Sequence, residues 1–140
     1  MIYVDSSVVL SLLAEDDLTP AAESWFGSTS DPVALSSWTE VEVFANVGLR
    51  VRKKFLSRGA GLAVRQQFIR LVETNFRMLA ALDEHFKTAR EWLASSDCAL
   101  GSNDALHLAI AFGHGCKSVV TFDRTLVSAA KRLKLDVRLP

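Results

Sequence analysis

The fold is decided by SVVTFDR, residues 118–124, where a β-prone run stops at an acid and gives way to a helix. Ser118 to Phe122 is the clearest predicted strand of the chain, and a helical pattern follows from Arg124 to Leu133. The chain opens in the same way. Ile2 to Val4 is β-prone, Asp5 ends the run, and Ser6 or Ser7 can cap the next helix. Both ends of the chain therefore predict a strand, an acid and a helix in succession.

The segments between these two stretches continue the alternation of strands and helices. A long helix through about Arg52 is predicted to start at Ser37, because Ser37 and Glu40 have the spacing of a capping box. The other predicted elements are a helix from Thr19-Pro20 to about Gly27, a strand over Val33–Leu35, a turn at 58–61, an amphipathic helix over Leu62–Thr74, a strand over Phe76–Leu82, a helix capped by Asp83, a loop over Asp97–Gly101, a helix over Ser102–Gly113 and a last strand around Val137.

Such an order predicts an α/β fold with a mostly parallel central sheet covered on both faces, a three-layer α/β/α sandwich. The amphipathic segment from Val43 to Val72 is predicted to protrude as a helical arm. At 140 residues and 49% hydrophobic content, the chain predicts one domain over 1–140 with a core that needs no disulfide. Cys98 and Cys116 stand apart without metal-binding spacing, so we expect reduced thiols and a cytoplasmic protein without a membrane segment.

Charge and acid placement point to a local site. Sixteen basic and sixteen acidic residues cancel, so a polyanion can be attracted only by a patch of the surface. Asp5 and Asp123 follow predicted strands and should lie at the carboxyl edge of the sheet, where open parallel sheets bind ligands. Asp104 begins an otherwise apolar helix, and Glu42 is flanked by apolar residues. Gathered together, four carboxylates repel one another unless a cation holds them.

An all-oxygen ligand set favours Mg²⁺ or Mn²⁺ and a phosphodiester substrate, with one or two ions. Each acid also has a purely structural interpretation. Asp5 and Asp123 can cap the helices after them, and Asp104 can face the positive end of its helix dipole. Glu40 has the capping box as its explanation, which favours Glu42 as the ligand, although the pattern alone leaves both open.

Four segments together resemble the PIN-domain family, in its order and over essentially the whole chain: YVDSS at 3–7, TEVE at 39–42, DALHLA at 104–109 and VTFDR at 120–124. The resemblance implies that Asp5, Glu42, Asp104 and Asp123 form an acidic metal site, with the hydroxyls of Ser6 and Thr121 beside it. The compact single-domain members of the PIN-domain family are typically VapC-like, and this chain is similar to them. This implies an endoribonuclease toxin that uses Mg²⁺ or Mn²⁺, forms a homodimer and is inhibited by a VapB-like antitoxin protein.

The basic stretch Arg50, Arg52, Lys53 and Lys54 is a candidate RNA-binding surface, and equally an ordinary solvated helix end. His107 lies one helical step from Asp104, which would allow contact with a metal-bound water, but as a lone histidine in an apolar helix it is interpreted as a packed residue. We interpret the three tryptophans, Trp25, Trp38 and Trp92, as core or interface residues.

Two other functions remain open from the sequence. A catalytically silent PIN-like module would bind RNA or a protein and keep its acids for structure. A receiver-like signalling domain would need paired acids after its first strand, whereas Asp5 is followed by serines.

Overall fold

Strands and helices alternate along the chain, as the sequence predicts. The computed structural model describes residues 1–95 and 100–140. Its elements are β1 (Ile2–Val4), α1 (Ser6–Leu13), α2 (Thr19–Ser28), β2 (Val33–Ser36), α3 (Ser37–Arg52), α4 (Arg58–Asn75), β3 (Phe76–Leu79), α5 (Asp83–Ala94), α6 (Ser102–Gly113), β4 (Ser118–Val120), α7 (Arg124–Arg132) and β5 (Val137–Arg138). The predicted loop over 97–101 falls partly on residues 96–99, and Asp97 lies outside the described residues.

The five strands form one parallel sheet in the order β3-β2-β1-β4-β5. Strand β1 is central, and Tyr3 pairs with Ala34 on one side and with Val119 on the other. The strand order reverses between β1 and β4, and the carboxyl ends of neighbouring strands splay apart at such a switch point. The topology therefore places its natural binding crevice beside Asp5 and the residues after β4.

Both faces of the sheet are buried, which confirms the layered α/β architecture. Successive side chains of a strand point to opposite faces. Tyr3 accordingly packs with α5, α6 and α7, while Val4 packs with α1, α3 and α4. The tryptophans pack partly buried against these two cores, as predicted. Of the described helices, none combines the length and apolar character needed to span a bilayer.

Several predicted boundaries are wrong by a few residues. The capping box of α3 consists of Ser36 and Thr39 instead of Ser37 and Glu40: Ser36 Oγ accepts from the Thr39 amide at 3.2 Å, and Thr39 Oγ1 accepts from the Ser36 amide at 3.3 Å. Strands β3 and β4 end earlier than predicted. At α5 the cap position belongs to Leu82, so Asp83 is the first helical residue.

The turn predicted at 58–61 is the first turn of α4. Ser57 Oγ accepts from the amide of Ala60 at 3.1 Å and caps the helix. Gly61 serves close packing instead of a turn, because a Cβ there would lie 2.6 Å from Cγ2 of Val51 in α3. The arm is thus a hairpin of two helices, α3 and α4, that approach each other at a glycine.

Gly113 plays the same role between α5 and α6. A Cβ on Gly113 would lie 2.4 Å from Nε2 of His85, a buried side chain of α5. The imidazole is fixed in place, because its Nδ1 accepts a hydrogen bond from the Leu82 amide at 3.1 Å. At Gly27 in α2, by contrast, a Cβ would meet nothing within 4 Å.

We expect Gly113→Ala to lower the free energy of unfolding by about 1 to 3 kcal/mol, since the methyl group overpacks the α5–α6 contact. Gly27→Ala is the matched control and should raise it by up to about 1 kcal/mol, because alanine favours helix where there is space. Urea denaturation of both variants measures the difference. Equal stability of the two variants would contradict the packing role of Gly113.

Candidate metal and active site

Asp5 is the centre of the carboxyl edge. It follows β1 directly, is only 6% exposed, and its amide donates to the carbonyl of Val120 in β4 at 3.0 Å. Oδ2 of Asp5 accepts hydrogen bonds from Thr121 Oγ1 at 2.8 Å, from Ser7 Oγ at 2.6 Å and from the Ser7 amide at 3.3 Å. Oδ1 is turned the other way, 3.4 Å from Nε2 of His107. One oxygen of the carboxylate is therefore held by the fold, and the other faces the crevice.

Glu42 approaches the same point from the second turn of α3. Its Oε2 lies 2.5 Å from Nε2 of His107, which α6 contributes and which is 1% exposed. Nδ1 of His107 lies 2.7 Å from the hydroxyl of Tyr3. That hydroxyl is also within 2.7 Å of Ser36 Oγ and 3.2 Å of Thr39 Oγ1. A continuous buried chain of polar groups thus connects the start of α3 to Glu42 through Tyr3 and His107.

The protons of this chain follow from donor and acceptor chemistry. An ionised carboxylate only accepts, so Nε2 of His107 carries the hydrogen that it donates to Glu42. Burial alone lowers the pKa of His107, but the hydrogen bond to Glu42 and the charges of Asp5, Glu42 and Asp104 outweigh it and raise the pKa above its ordinary value. Burial raises the pKa of Tyr3 well above its ordinary value, so the phenol stays protonated. His107 therefore faces the two acids as a donor.

Asp104 and Asp123 add negative charge at the same edge. Asp104 lies in the first turn of α6 and Asp123 caps α7, where its Oδ1 accepts from the amides of Thr125 at 2.6 Å and Leu126 at 3.1 Å. Burial raises the pKa of Asp104 above its ordinary value, and the charges of Asp123 and Asp5 raise it further, against a backbone hydrogen bond from Gly101 and the charge of His107. Asp104 is therefore held where its neighbours disfavour its ionised form.

A cation fits this arrangement. Within residues 1–95 and 100–140, Asp5, Glu42 and His107 form the group whose potential ligand atoms all lie within 4.8 Å of one another. The two carboxylates offer hard oxygen ligands, which suit Mg²⁺ or Mn²⁺, and the charges of Asp104 and Asp123 strengthen attraction for a divalent ion. Nε2 of His107, as a donor, is not a ligand in this arrangement. It donates a hydrogen bond to Glu42 instead.

The predicted site residues differ in how closely they approach the cluster. Glu42 reaches it, whereas Asp104, Asp123 and Glu40 lie outside the group of close ligand atoms that the described residues form. Ser7, one position after the predicted Ser6, binds the Asp5 carboxylate, because the second residue of a helix directs its amide and hydroxyl toward the capping side chain. Thr121, the other hydroxyl of the predicted site, donates a hydrogen bond to Asp5.

Sequence reasoning missed the contacts of His107. It is packed, as interpreted, but its nitrogens bind Glu42 and Tyr3. Its spacing of three residues from Asp104, which puts both on one face of α6, indicates a position near the acids but does not identify Glu42 and Tyr3 as its partners.

The four candidate RNA-binding cations fall into two groups. Arg50 and Lys53 line a groove of about 430 Å³ along one side of α3. Arg52 and Lys54 line a second groove of about 670 Å³ between the end of α3 and the start of α4. The basic stretch is therefore divided between two surfaces by the turn of the helix.

Comparison with known proteins agrees with this geometry. The family model described as PIN domain matches residues 2–132. None of the curated protein sequences compared with the chain matches it. The structure of VapC20 from Mycobacterium tuberculosis, described as a sarcin-ricin loop cleaving toxin, is similar with a TM-score of 0.73 and 24% identity, covering 92% of this chain and 95% of that one.

Two further solved structures share the fold. FitAcB from Neisseria gonorrhoeae matches with a TM-score of 0.69 and 21% identity over 98% of this chain and 96% of that one. VapBC2 from Rickettsia felis, bound to a DNA fragment from its promoter, matches with a TM-score of 0.69 and 14% identity over 99% and 98% of the two chains. At these identities the likeness concerns the fold, and the family follows from the match over 2–132: the chain belongs to the PIN-domain family.

Proposed function

We propose that the chain is a cytoplasmic, metal-dependent endoribonuclease that acts as the toxin of a type II toxin–antitoxin system. The observation that carries the proposal is the close pair Asp5 and Glu42, bridged by His107 at the switch point of the sheet. A fold gains no stability from repelling carboxylates, and Asp104 is disfavoured as an anion by its burial and then by the charges of Asp123 and Asp5. Such a cluster is expected where a cation and a phosphate are to be bound.

Asp5, Glu42, Asp104 and Asp123 would hold Mg²⁺, or Mn²⁺ in its place. The ion, when bound, neutralises charge at the scissile phosphodiester and activates water for hydrolysis. The chain's own residues prepare the ligands. Ser7 and Thr121 fix one oxygen of Asp5, which leaves the other directed at the crevice.

The polar chain behind Glu42 has a comparable positioning role. His107 donates to the Glu42 carboxylate, and Tyr3 contacts the far nitrogen of the same imidazole. Both supporting residues are almost wholly buried, so they hold their positions through packing. Ligands pre-oriented in this way lose little conformational entropy when the ion and substrate bind.

The charge distribution supports a polyanionic substrate. Residues 43–72, which form most of α3 and α4, contain seven of the sixteen basic residues and none of the sixteen acidic ones. This arm begins beside Glu42, so RNA bound to it would pass the acidic cluster. The similar protein VapC20 is a toxin that cleaves the sarcin-ricin loop, which supports RNA as the polymer.

We also propose two protein partners, an antitoxin and a second copy of the chain. The similar structures include toxin–antitoxin assemblies, VapBC2 among them, which supports a VapB-like antitoxin for this chain. Large apolar side chains are exposed on the arm at Leu62 and Ile69, and on α5 at Phe86 and Leu93. Exposed apolar surface of this extent is available for an antitoxin and for a homodimer contact.

Purified protein should cut total cellular RNA in Mg²⁺ or Mn²⁺ and stop when a chelator is added. Asp104→Asn should reduce the rate by at least about a hundredfold, because it removes charge that attracts the cation, while its fold stays intact. Gel analysis of the RNA with circular dichroism of the variant measures both. Cutting that continues in chelator would sink the proposal, and a folded protein that cuts no RNA would favour the silent binding module.

Glu42→Gln and Glu40→Gln form a matched pair two residues apart with the same loss of charge. Wild-type protein should gain thermal stability on addition of Mn²⁺, since a ligand that binds only the folded state stabilises it, by about 2.7 kcal/mol at roughly a hundred times its dissociation constant. Glu42→Gln should lose most of this gain and Glu40→Gln should keep it. Differential scanning fluorimetry over a Mn²⁺ titration measures the two. The reverse result would transfer the ligand role to Glu40.

A further inference from the structure

A groove on the arm lies on the same face of α3 as Glu42. Six residues line it, here called the arm groove: Asn46, Leu49, Arg50, Lys53, Phe55 and Leu56. Relative to Glu42, Asn46 lies four positions on, Leu49 seven and Lys53 eleven, which places them on one face of α3. At a rise of about 1.5 Å per residue, the groove extends from about 6 Å to about 16 Å from Glu42 along the helix axis. An extended strand that leaves the acidic cluster along this face would enter the groove.

The side chain of Phe55 stands at the groove with unusual exposure. It is 74% exposed, more than any other large apolar side chain of the described residues. The turn that presents it is well defined, because the amides of Phe55 and Leu56 both donate to the carbonyl of Arg50, at 2.9 and 3.2 Å. The bond from Phe55 and a second one from the Lys54 amide to the Val51 carbonyl, at 3.0 Å, form the Schellman motif that commonly ends a helix, in which Lys54 takes a left-handed φ of 62°. This helix end fixes the backbone at Phe55, while the ring is exposed to water.

The polar groups of the groove define the occupant. Oδ1 of Asn46 is buried and has no hydrogen-bond partner among the described residues, so the amide has capacity left for a ligand. Neither Arg50 nor Lys53 is within ion-pairing distance of a described carboxylate. No acid occurs anywhere in 43–72 to neutralise them. The occupant must therefore combine negative charge, a flat apolar surface and a polar edge.

We propose that the arm groove binds one nucleotide of a single-stranded RNA substrate, with the base stacked on Phe55, its polar edge at Asn46 and the adjacent phosphate held by Arg50 and Lys53. This inference rests on the proposed ribonuclease function. Base stacking on an exposed aromatic ring next to cations is the usual way in which proteins bind single strands without reading their sequence. The groove volume of about 430 Å³ lies in the range of small-molecule sites. An apolar protein segment would leave Asn46 and both cations without partners.

The test is binding of a fluorescein-labelled oligoadenylate of about 12 nucleotides, within the site sizes of single-strand binders, to the full chain in chelator, followed by fluorescence anisotropy. Phe55→Ala should weaken binding by about tenfold or more, and Phe55→Trp should restore it, because stacking needs an aromatic face. Phe112→Ala is the control, since Phe112 on α6 is also an exposed phenylalanine and should leave the affinity unchanged. Circular dichroism confirms that each variant is folded.

A second probe separates the base from the phosphate. With an abasic oligomer of the same length, Phe55→Ala should bind as well as wild type. Lys53→Gln should reduce the slope of log affinity against log salt by about 0.7 for either oligomer, as expected for one phosphate contact to a single strand. Equal affinity of Phe55→Ala and wild type for oligoadenylate would overturn the proposal, as would an equal loss on both oligomers. The first of these results would favour a partner protein as the occupant of the groove.

The two proposals can fail separately. Binding in chelator involves no cleavage, so a Phe55 effect without any RNA cutting would leave the nucleotide site standing and remove the nuclease. Metal-dependent cutting with no Phe55 effect on affinity would retain the nuclease and remove the site.

Discussion

The structure depends on keeping the negative charge of Asp5 buried beside a parallel sheet. Three hydrogen bonds from Ser7 and Thr121 converge on one oxygen of this carboxylate. They connect the residue after β1, the first turn of α1 and the residue after β4. The contacts that stabilise the charge therefore also join the two strands on either side of the switch point. Asp5 is thus both the helix cap that a structural interpretation assigns to it and the acid of the candidate site. The two interpretations are compatible because they use different oxygens.

The buried imidazole of His107 compensates for the negative charge of the acids beside it. A buried, almost unexposed histidine normally loses its proton easily, yet in His107 the nearby acids more than offset the effect of burial. Tyr3 closes the other side of the ring, and its hydroxyl contacts the Ser36–Thr39 capping box of α3. The position of Glu42 is therefore linked to how α3 begins. This explains how a site built from three separate elements keeps a defined geometry.

Much of the fold could be predicted from the sequence, because strand and helix periodicity are local. The edge position of Asp5 and Asp123 was predictable for a general reason: residues that follow parallel strands share one edge of the sheet. The details that failed depend on non-local packing. Gly61 has the character of a turn residue but lies inside α4 against Val51, and the capping box moved by one residue because Ser36 ends β2 buried. The contacts of His107 with Glu42 and Tyr3 could not be derived without knowing which elements face one another, whereas the contact of Ser7 is local and follows once Asp5 caps α1.

The basic residues of the arm and the acidic residues of the chain lie in different parts of the molecule. The net charge is +0. All seven charged residues of the arm from 43 to 72 are nevertheless basic, and the rest of the chain carries the compensating acids. A polyanion is attracted to the arm and repelled from the cluster at Asp5 and Asp104. A divalent cation at the cluster would reverse that repulsion locally without altering the arm. Under the proposed function, binding of RNA and its positioning at the acids would therefore be separable steps, the first controlled by residues of α3 and the second by the ion. The helical face that runs from Glu42 to Lys53 is the physical connection between them.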